Sequence, residues 1–218
     1  MGEMSVERIR AEQLPEVFAG AARIFAEKKE ELCEMDARMG DGDLGLTMQK
    51  GYEALPGLLQ ENMQPEDPAK TLMKAGMKMS SVVPSTMGTL MASGIMEGGK
   101  ALKGKTEIGP NELADFLEGF AGGIQKRGKC EPGDRTILDA MKPAAEAARQ
   151  SAEAGGSLEA VLEAAVKGAE TGVKATESMV PKFGKAAVHA AKAAGVPDQG
   201  AVAGKYLLEG LHEGVTAM

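Results

Sequence analysis

Apolar residues recur along this chain at intervals of three and four, and the pattern is interrupted at intervals by short clusters of glycine, proline, aspartate and serine. Such spacing gathers the apolar side chains on one face of a helix. Leu14, Val17, Phe18, Ala21, Ile24, Phe25 and Leu32 predict a helix from Pro15, a residue suited to a first turn, to about Met35. Leu46, Met48, Tyr52 and Leu55 predict the next, ended by Pro56. Leu72, Met73, Ala75, Gly76, Met77 and Met79 carry another to about Val82, and a further one runs through Leu90, Ile95 and Leu102. Asn111 is placed to cap a helix through Leu113, Phe116, Leu117, Phe120 and Ile124, stopped near Arg127-Gly128. Ile137 to about Ala154 follows, with Pro143 kinking it or delaying its regular part, and Ser157 caps the helix through Val161, Leu162, Ala165 and Val166 to about Thr176. Residues 182–195 read as an Ala-rich helix containing His189, and Val202, Tyr206, Leu207 and Leu211 mark the last one. Residues 1–12 read as a loose or extended arm. No stretch alternates like a strand and no helix pair repeats closely enough for a solenoid. The expectation is one all-α domain over residues 1–218, with about eight helices.

Composition sharpens this picture. Trp is absent from the 218 residues and there are only two Tyr and five Phe, while Ala, Met, Glu, Lys and Leu abound. That mixture favours helix. The 29 glycines oppose it and must mark helix ends, close helix contacts or ligand loops. A net charge of −7 leaves no basic field for nucleic acid or anionic lipid. No apolar run approaches membrane-spanning length, and the two cysteines, Cys33 and Cys130, read as reduced thiols, Cys33 in the core. The expected protein is soluble and cytoplasmic.

The chemistry concentrates in Met39-Gly40-Asp41-Gly42-Asp43-Leu44-Gly45, with Asp36 just upstream. Clustered carboxylates repel one another unless a cation or proton intervenes, and Mg²⁺ takes oxygen ligands shared with substrate phosphates. The run reads as a hard-metal site or as a solvated acidic turn. It opens a helix N-terminus, where free N–H groups attract phosphate. Ser85 and Thr86 open another, as caps or as phosphate contacts. Polar glycine turns near Asp41, Ser85, Asp134 and Asp198 begin alternate helices, and in an up-and-down bundle every second connection lies at the same end. These four turns could build one rim. Gly99 to Thr106 satisfies G-x-x-x-x-G-K-[ST], yet it lacks the preceding strand and following helix that give the pattern meaning. It reads as an interhelix loop. His189 and His212 read as ordinary helix residues.

Three stretches together resemble the nucleotide-binding L subunit, or C-terminal domain, of dihydroxyacetone kinases. Asp36 to Gly45 is similar to D-x-x-x-G-D-x-D-x-G, and Arg127-Gly128-Lys129-Cys130-Glu131-Pro132-Gly133-Asp134-Arg135-Thr136 to R-G-K-x-x-P-G-D-K-T. Gly184-Lys185-Ala186-Ala187 and Asp198-Gln199-Gly200-Ala201 resemble G-R-A-S and D-P-G-A more weakly. The resemblance implies an antiparallel eight-helix barrel holding ADP or ATP with two Mg²⁺ at one end. It implies that Asp36, Asp41 and Asp43 hold the metals, and that Leu44, Gly45 and Thr47 lie along the nucleotide, with Ser85 and Thr86 near its phosphates. Gly128 and Ile137 would line the base or ribose, and Lys185, Asp198, Gln199 and Gly200 would close the pocket. The implied activity is phosphotransfer to a hydroxyketone held by a separate sugar-binding K-type subunit. The donor is ATP, or an ADP cofactor rephosphorylated by a phosphocarrier protein, and a homodimer is compatible with either. Leu44 stands where the pattern has histidine, Met87 falls in the altered phosphate loop, and Lys185 replaces arginine. These departures motivate the alternative of a non-catalytic, nucleotide-responsive regulatory protein.

Overall fold

The computed structural model describes residues 6–188 and 190–218, the side chains of Lys185 and Lys192 excepted. The amphipathic pattern resolves into α1 (Leu14–Glu27), α2 (Lys29–Ala37), α3 (Leu44–Glu61), α4 (Pro68–Val82), α5 (Thr86–Ala101), α6 (Pro110–Gly128), α7 (Leu138–Glu153) and α8 (Leu158–Thr176). Two short pieces follow, α9 (Gly184–Val188) and α10 (Ala190–Ala193), and then α11 (Gln199–Thr216). Side-chain caps begin several of these. Asp67, Ser85, Ser157 and Asp198 accept hydrogen bonds from the amides of Lys70, Gly88, Ala160 and Ala201.

Each long helix packs on the next in the order α1, α3, α4, α5, α6, α7, α8, α11, and α11 returns to α1. Among the described residues the result is a closed ring of eight helices around one hydrophobic core. Phe25 stacks on Tyr52 at 4.6 Å inside it, and Phe120, Leu55, Met79, Met91 and Ile95 are fully buried. The final contact needs glycine. A Cβ on Gly210 would lie 2.4 Å from Ala21 Cα, and one on Gly20 would meet the Gly210 carbonyl, so α1 and α11 touch backbone to backbone. Most neighbours are joined by short connections, which make them antiparallel, and the longer links through α2 and through α9 and α10 also end at one cleft. The turns before α3, α5, α7 and α11 therefore gather at one end of the ring.

Several elements differ from the pattern's prediction, for identifiable reasons. The first helix is divided at Lys28 (φ −92°, ψ 5°), because beyond it only Leu32 and Asp36 of α2 are buried and the apolar stripe no longer holds a single axis. Pro56 does not end α3. Its missing amide costs about 3 kcal/mol within a helix, but burying Leu59 completely and Leu58 partly returns a comparable amount. Pro143 lies inside α7, as expected, but does not delay it: the helix is regular from Leu138, and its Ala144, Ala145, Ala148 and Ala152 are all buried. Gly109 rather than Asn111 caps α6, since Pro110 takes the first helical position and Glu112 accepts the Gly109 amide at 3.1 Å. Cys33 is half-buried, and Cys130 is the buried thiol. The Ala-rich stretch forms α9 and α10, with His189 between them outside the described residues. Of the expected arm, residues 1–5 lie outside the described residues, Ile9–Arg10 is extended, and Ala11–Gln13 forms a 3-10 turn. Strand β1 (Ile9–Arg10) pairs antiparallel with β2 (Glu107–Ile108), and Ile9 is buried at the end of the ring away from the four turns.

The Gly99 to Thr106 stretch is the end of α5 and the turn after it. A helix precedes it, Lys105 pairs with Glu112, and Lys100 pairs with Glu97. No phosphate cradle forms there.

Candidate functional site

The four turns meet around a cleft of about 580 Å³, lined from the α2–α3 turn, the start of α5, the start of α7, the segment before α9 and the start of α11. Of the expected site residues, Asp36, Asp41, Asp43, Leu44, Thr47, Ser85, Thr86, Ile137, Asp198, Gln199 and Gly200 line it. Gly45 and Gly128 do not. A Cβ on Gly45 would overlap the Lys29 carbonyl, so this glycine admits α2 against α3. Gly128 lies behind Leu90 and beside Cys130. The backbone of Lys185 belongs to α9, and its side chain lies outside the described residues.

Asp36 organises the acidic turn. Near the end of α2, its buried carboxylate accepts through Oδ2 from the amides of Gly42 (2.9 Å), Asp43 (3.1 Å) and Leu44 (3.4 Å). It thereby folds the turn back and takes up the first of the open amides of α3. Gly42 has φ +79°, and a Cβ on Gly40 would press into the Asp36 carboxylate, so both glycines are needed here. Asp43 precedes α3 yet makes no capping hydrogen bond with its side chain. Carboxylate oxygens of Asp36, Asp41 and Asp43 all lie within 4.8 Å of one another. Ligands about 2.1 Å from an octahedral Mg²⁺ stand at most about 4.2 Å apart, so small side-chain rotations would bring all three onto one ion. The residues fit a hard divalent cation.

The other walls divide by chemistry. Leu44, Met87, Leu90, Ile137 and Phe183 offer apolar surface, while the first turns of α3, α5 and α11 bring helix N-termini to the rim. Ser85 Oγ accepts the Gly88 amide at 3.0 Å, which is its capping duty.

Arg135, to which the sequence reading gave no role, forms part of the inner wall of the cleft. It adopts φ +60° and is buried, its guanidinium donating to the carbonyls of Val196 (2.8 Å), Thr176 (3.2 Å) and Ala193 (3.5 Å), with Met39 Sδ at 3.8 Å. Asp198 Oδ1 lies 3.6 Å from it. One cation thus ties the acidic turn, the end of α8, the segment before α11 and the cap of α11. Burial pushes the Asp198 carboxyl up to about 6, against the opposing pull of the Ala201 amide and Arg135. Asp139 holds the neighbouring turn by accepting from Gly133 and Thr136. The signal for Arg135 was its place in Pro132-Gly133-Asp134-Arg135-Thr136, but a charged residue in a polar turn reads as solvated.

Comparison with known proteins gives this architecture a family. The chain is 31% identical over 190 residues to the ADP-binding subunit DhaL of the PEP-dependent dihydroxyacetone kinase of Escherichia coli, covering 85% of this chain and 88% of that one. It is 33% identical over 185 residues to the triokinase/FMN cyclase of Rattus norvegicus, where the match covers 85% of this chain but 32% of that protein. The crystal structure of the C. freundii dihydroxyacetone kinase in complex with AMP-PNP and Mg²⁺ superposes with a TM-score of 0.68 at 23% identity, over 91% of this chain and 33% of that one, which shows the shared fold. The chain thus spans most of the bacterial subunit and about a third of the longer enzymes. A family model for the DAK2 domain matches residues 38–213, from the acidic turn to the last helix, and the chain belongs to that family.

Proposed function

We propose that this chain is the nucleotide-binding subunit of a dihydroxyacetone-kinase-like phosphotransferase, presenting a phosphoryl group to a hydroxyketone held by a separate sugar-binding subunit. The observation that carries the reading is the placement of three carboxylates within 4.8 Å of one another on a cleft that also collects three helix N-termini and an apolar wall. In this reading residues 1–218 act as one L-type domain in the cytoplasm. Asp36, Asp41 and Asp43 hold two Mg²⁺, the starts of α3 and α5 face the phosphates, and Leu44, Met87, Leu90 and Ile137 take the base and ribose.

Phosphoryl transfer is largely positioning and charge neutralisation, and the cations would supply neutralisation at the phosphate oxygens. The chain's own residues do the positioning. Asp36 is locked by three amides, so the carboxylate is set before ligand arrives, while Asp41 and Asp43 sit on the glycine turn and adjust to the ions. The name of the E. coli relative, PEP-dependent and ADP-binding, supports a resident ADP rephosphorylated by a phosphocarrier protein over exchange with free ATP.

Calorimetry of ADP and ATP with and without Mg²⁺ tests this. Binding is expected to require Mg²⁺ and to weaken at least about tenfold in Asp41→Ala. ADP that survives gel filtration favours the carrier route, and rapid exchange favours ATP. No binding of either nucleotide to the unaltered protein would overturn the reading.

A further inference from the structure

Gln199 is the first residue of α11, and its side chain enters the cleft beside the acidic turn. Nε2 donates to Asp36 Oδ1 at 3.3 Å. The orientation follows from chemistry, because a carboxylate oxygen only accepts and so faces the NH₂ end of the amide. The carbonyl end is then turned away. Gln199 Oε1 is buried and, among the described residues, has no hydrogen-bond partner. Asp134 Oδ1 shares that condition but sits against Lys182 Nζ, which leaves Gln199 Oε1, among the described residues, as the stranded acceptor without an ion-pair partner. Buried acceptors are rarely left in this state, and one that lines a cleft points to a donor that arrives with the ligand.

Asp36 Oδ2 is occupied by three backbone amides, which leaves Oδ1 as the oxygen that can face a cation, and Oδ1 is the atom Gln199 holds. We infer that Gln199 is a positioning residue for the cation site: its amide N–H fixes Asp36 Oδ1, and its Oε1 accepts a hydrogen bond from a water in the cation's shell. Mg²⁺ gives up its waters reluctantly, and such waters are strong donors. The inference rests on the assignment of Asp36, Asp41 and Asp43 as cation ligands. It goes beyond that assignment by giving this glutamine a task in the cation site, at a position where the motif this stretch resembles carries proline.

The test uses Mn²⁺ as the probe, followed by electron paramagnetic resonance of the free ion, with thermal unfolding of the cation-free protein alongside. Gln199→Pro is compatible with the fold. The position is the first of a helix, no hydrogen bond from the Gln199 amide is seen, and Asp198 before it is extended (φ −70°, ψ 128°). Gln199→Met keeps the side chain's length without its polar ends. Both variants are expected to bind Mn²⁺ about 10- to 100-fold more weakly, as loss of outer-shell partners typically does. In the cation-free protein both should unfold at nearly the unaltered temperature, because loss of the Nε2 donor to Asp36 Oδ1 is offset by removal of the stranded acceptor. Mn²⁺ affinity within about twofold of the unaltered protein in both variants overturns the role of Gln199. Weaker binding accompanied by a lower unfolding temperature in both also overturns it, since a structural role alone would give that pattern. No Mn²⁺ binding to the unaltered protein overturns the cation assignment together with this inference.

Discussion

Asp198 shows how one residue can serve two masters. Its carboxylate caps α11 through the Ala201 amide at 2.9 Å and faces the buried Arg135, while burial itself penalises the charge. Because the carboxyl is raised to about 6 in the folded chain from an ordinary 3.8, the folded state binds this proton more tightly than the unfolded state does. The group's contribution to stability is therefore full below about pH 4 and declines as the pH rises to about 6. Asp198→Asn caps the helix equally well and is neutral throughout. Urea midpoints of the two proteins between pH 4 and 6.5 should show the unaltered chain losing up to about 3 kcal/mol relative to the variant. A gain over that interval would mean that the Arg135 pair outweighs burial. At this scale the sequence was partly legible. Asp36, Asp41 and Asp43 could be picked out because carboxylates so close in sequence demand an explanation. Arg135 and the side-chain amide of Gln199 could not, because their meaning comes from partners 41 to 163 residues away.

Among the elements, glycine decides which helices can meet. Gly210→Ala drives a Cβ against Ala21 backbone on α1, where nothing flexible can yield, and is expected to cost about 2 kcal/mol or more. Gly122, in the exposed middle of α6, has open space in front of it. Gly122→Ala should instead raise stability by about 0.5 to 1 kcal/mol, and denaturant titration of the pair tests both signs. Periodicity found nearly every long helix, since α4, α6 and α8 bury the residues it marked. It erred at Pro56 and Lys28 because a local rule set a boundary that packing decided otherwise. The orphan Leu59 beyond Pro56 was the unread signal, as a leucine with a fully buried destination can carry a helix through a proline.

At the scale of the whole molecule, alternate connections of an up-and-down ring did bring the turns near Asp41, Ser85, Asp134 and Asp198 to one end. Closure of the ring was not legible from periodicity, which specifies faces and not neighbours; the expected barrel came from the resemblance. The two ends of the ring carry separate duties. Ile9, 2% exposed, packs with Leu14, Val17, Phe18, Ile108 and Leu113 away from the cleft. Ile9→Ala should lower stability by about 2 to 4 kcal/mol while leaving Mg²⁺-dependent ADP affinity within about twofold, by thermal unfolding and calorimetry of the same preparation. A parallel loss of affinity would mean that the two ends are coupled. The backbone contact between α1 and α11 has a further consequence. The first helix starts, and the last one finishes, on the face away from the cleft, side by side. A dye or a solid support attached at the exposed Glu12 or Thr216 would therefore leave the rim with the acidic turn uncovered, since both positions lie at the opposite end of the ring.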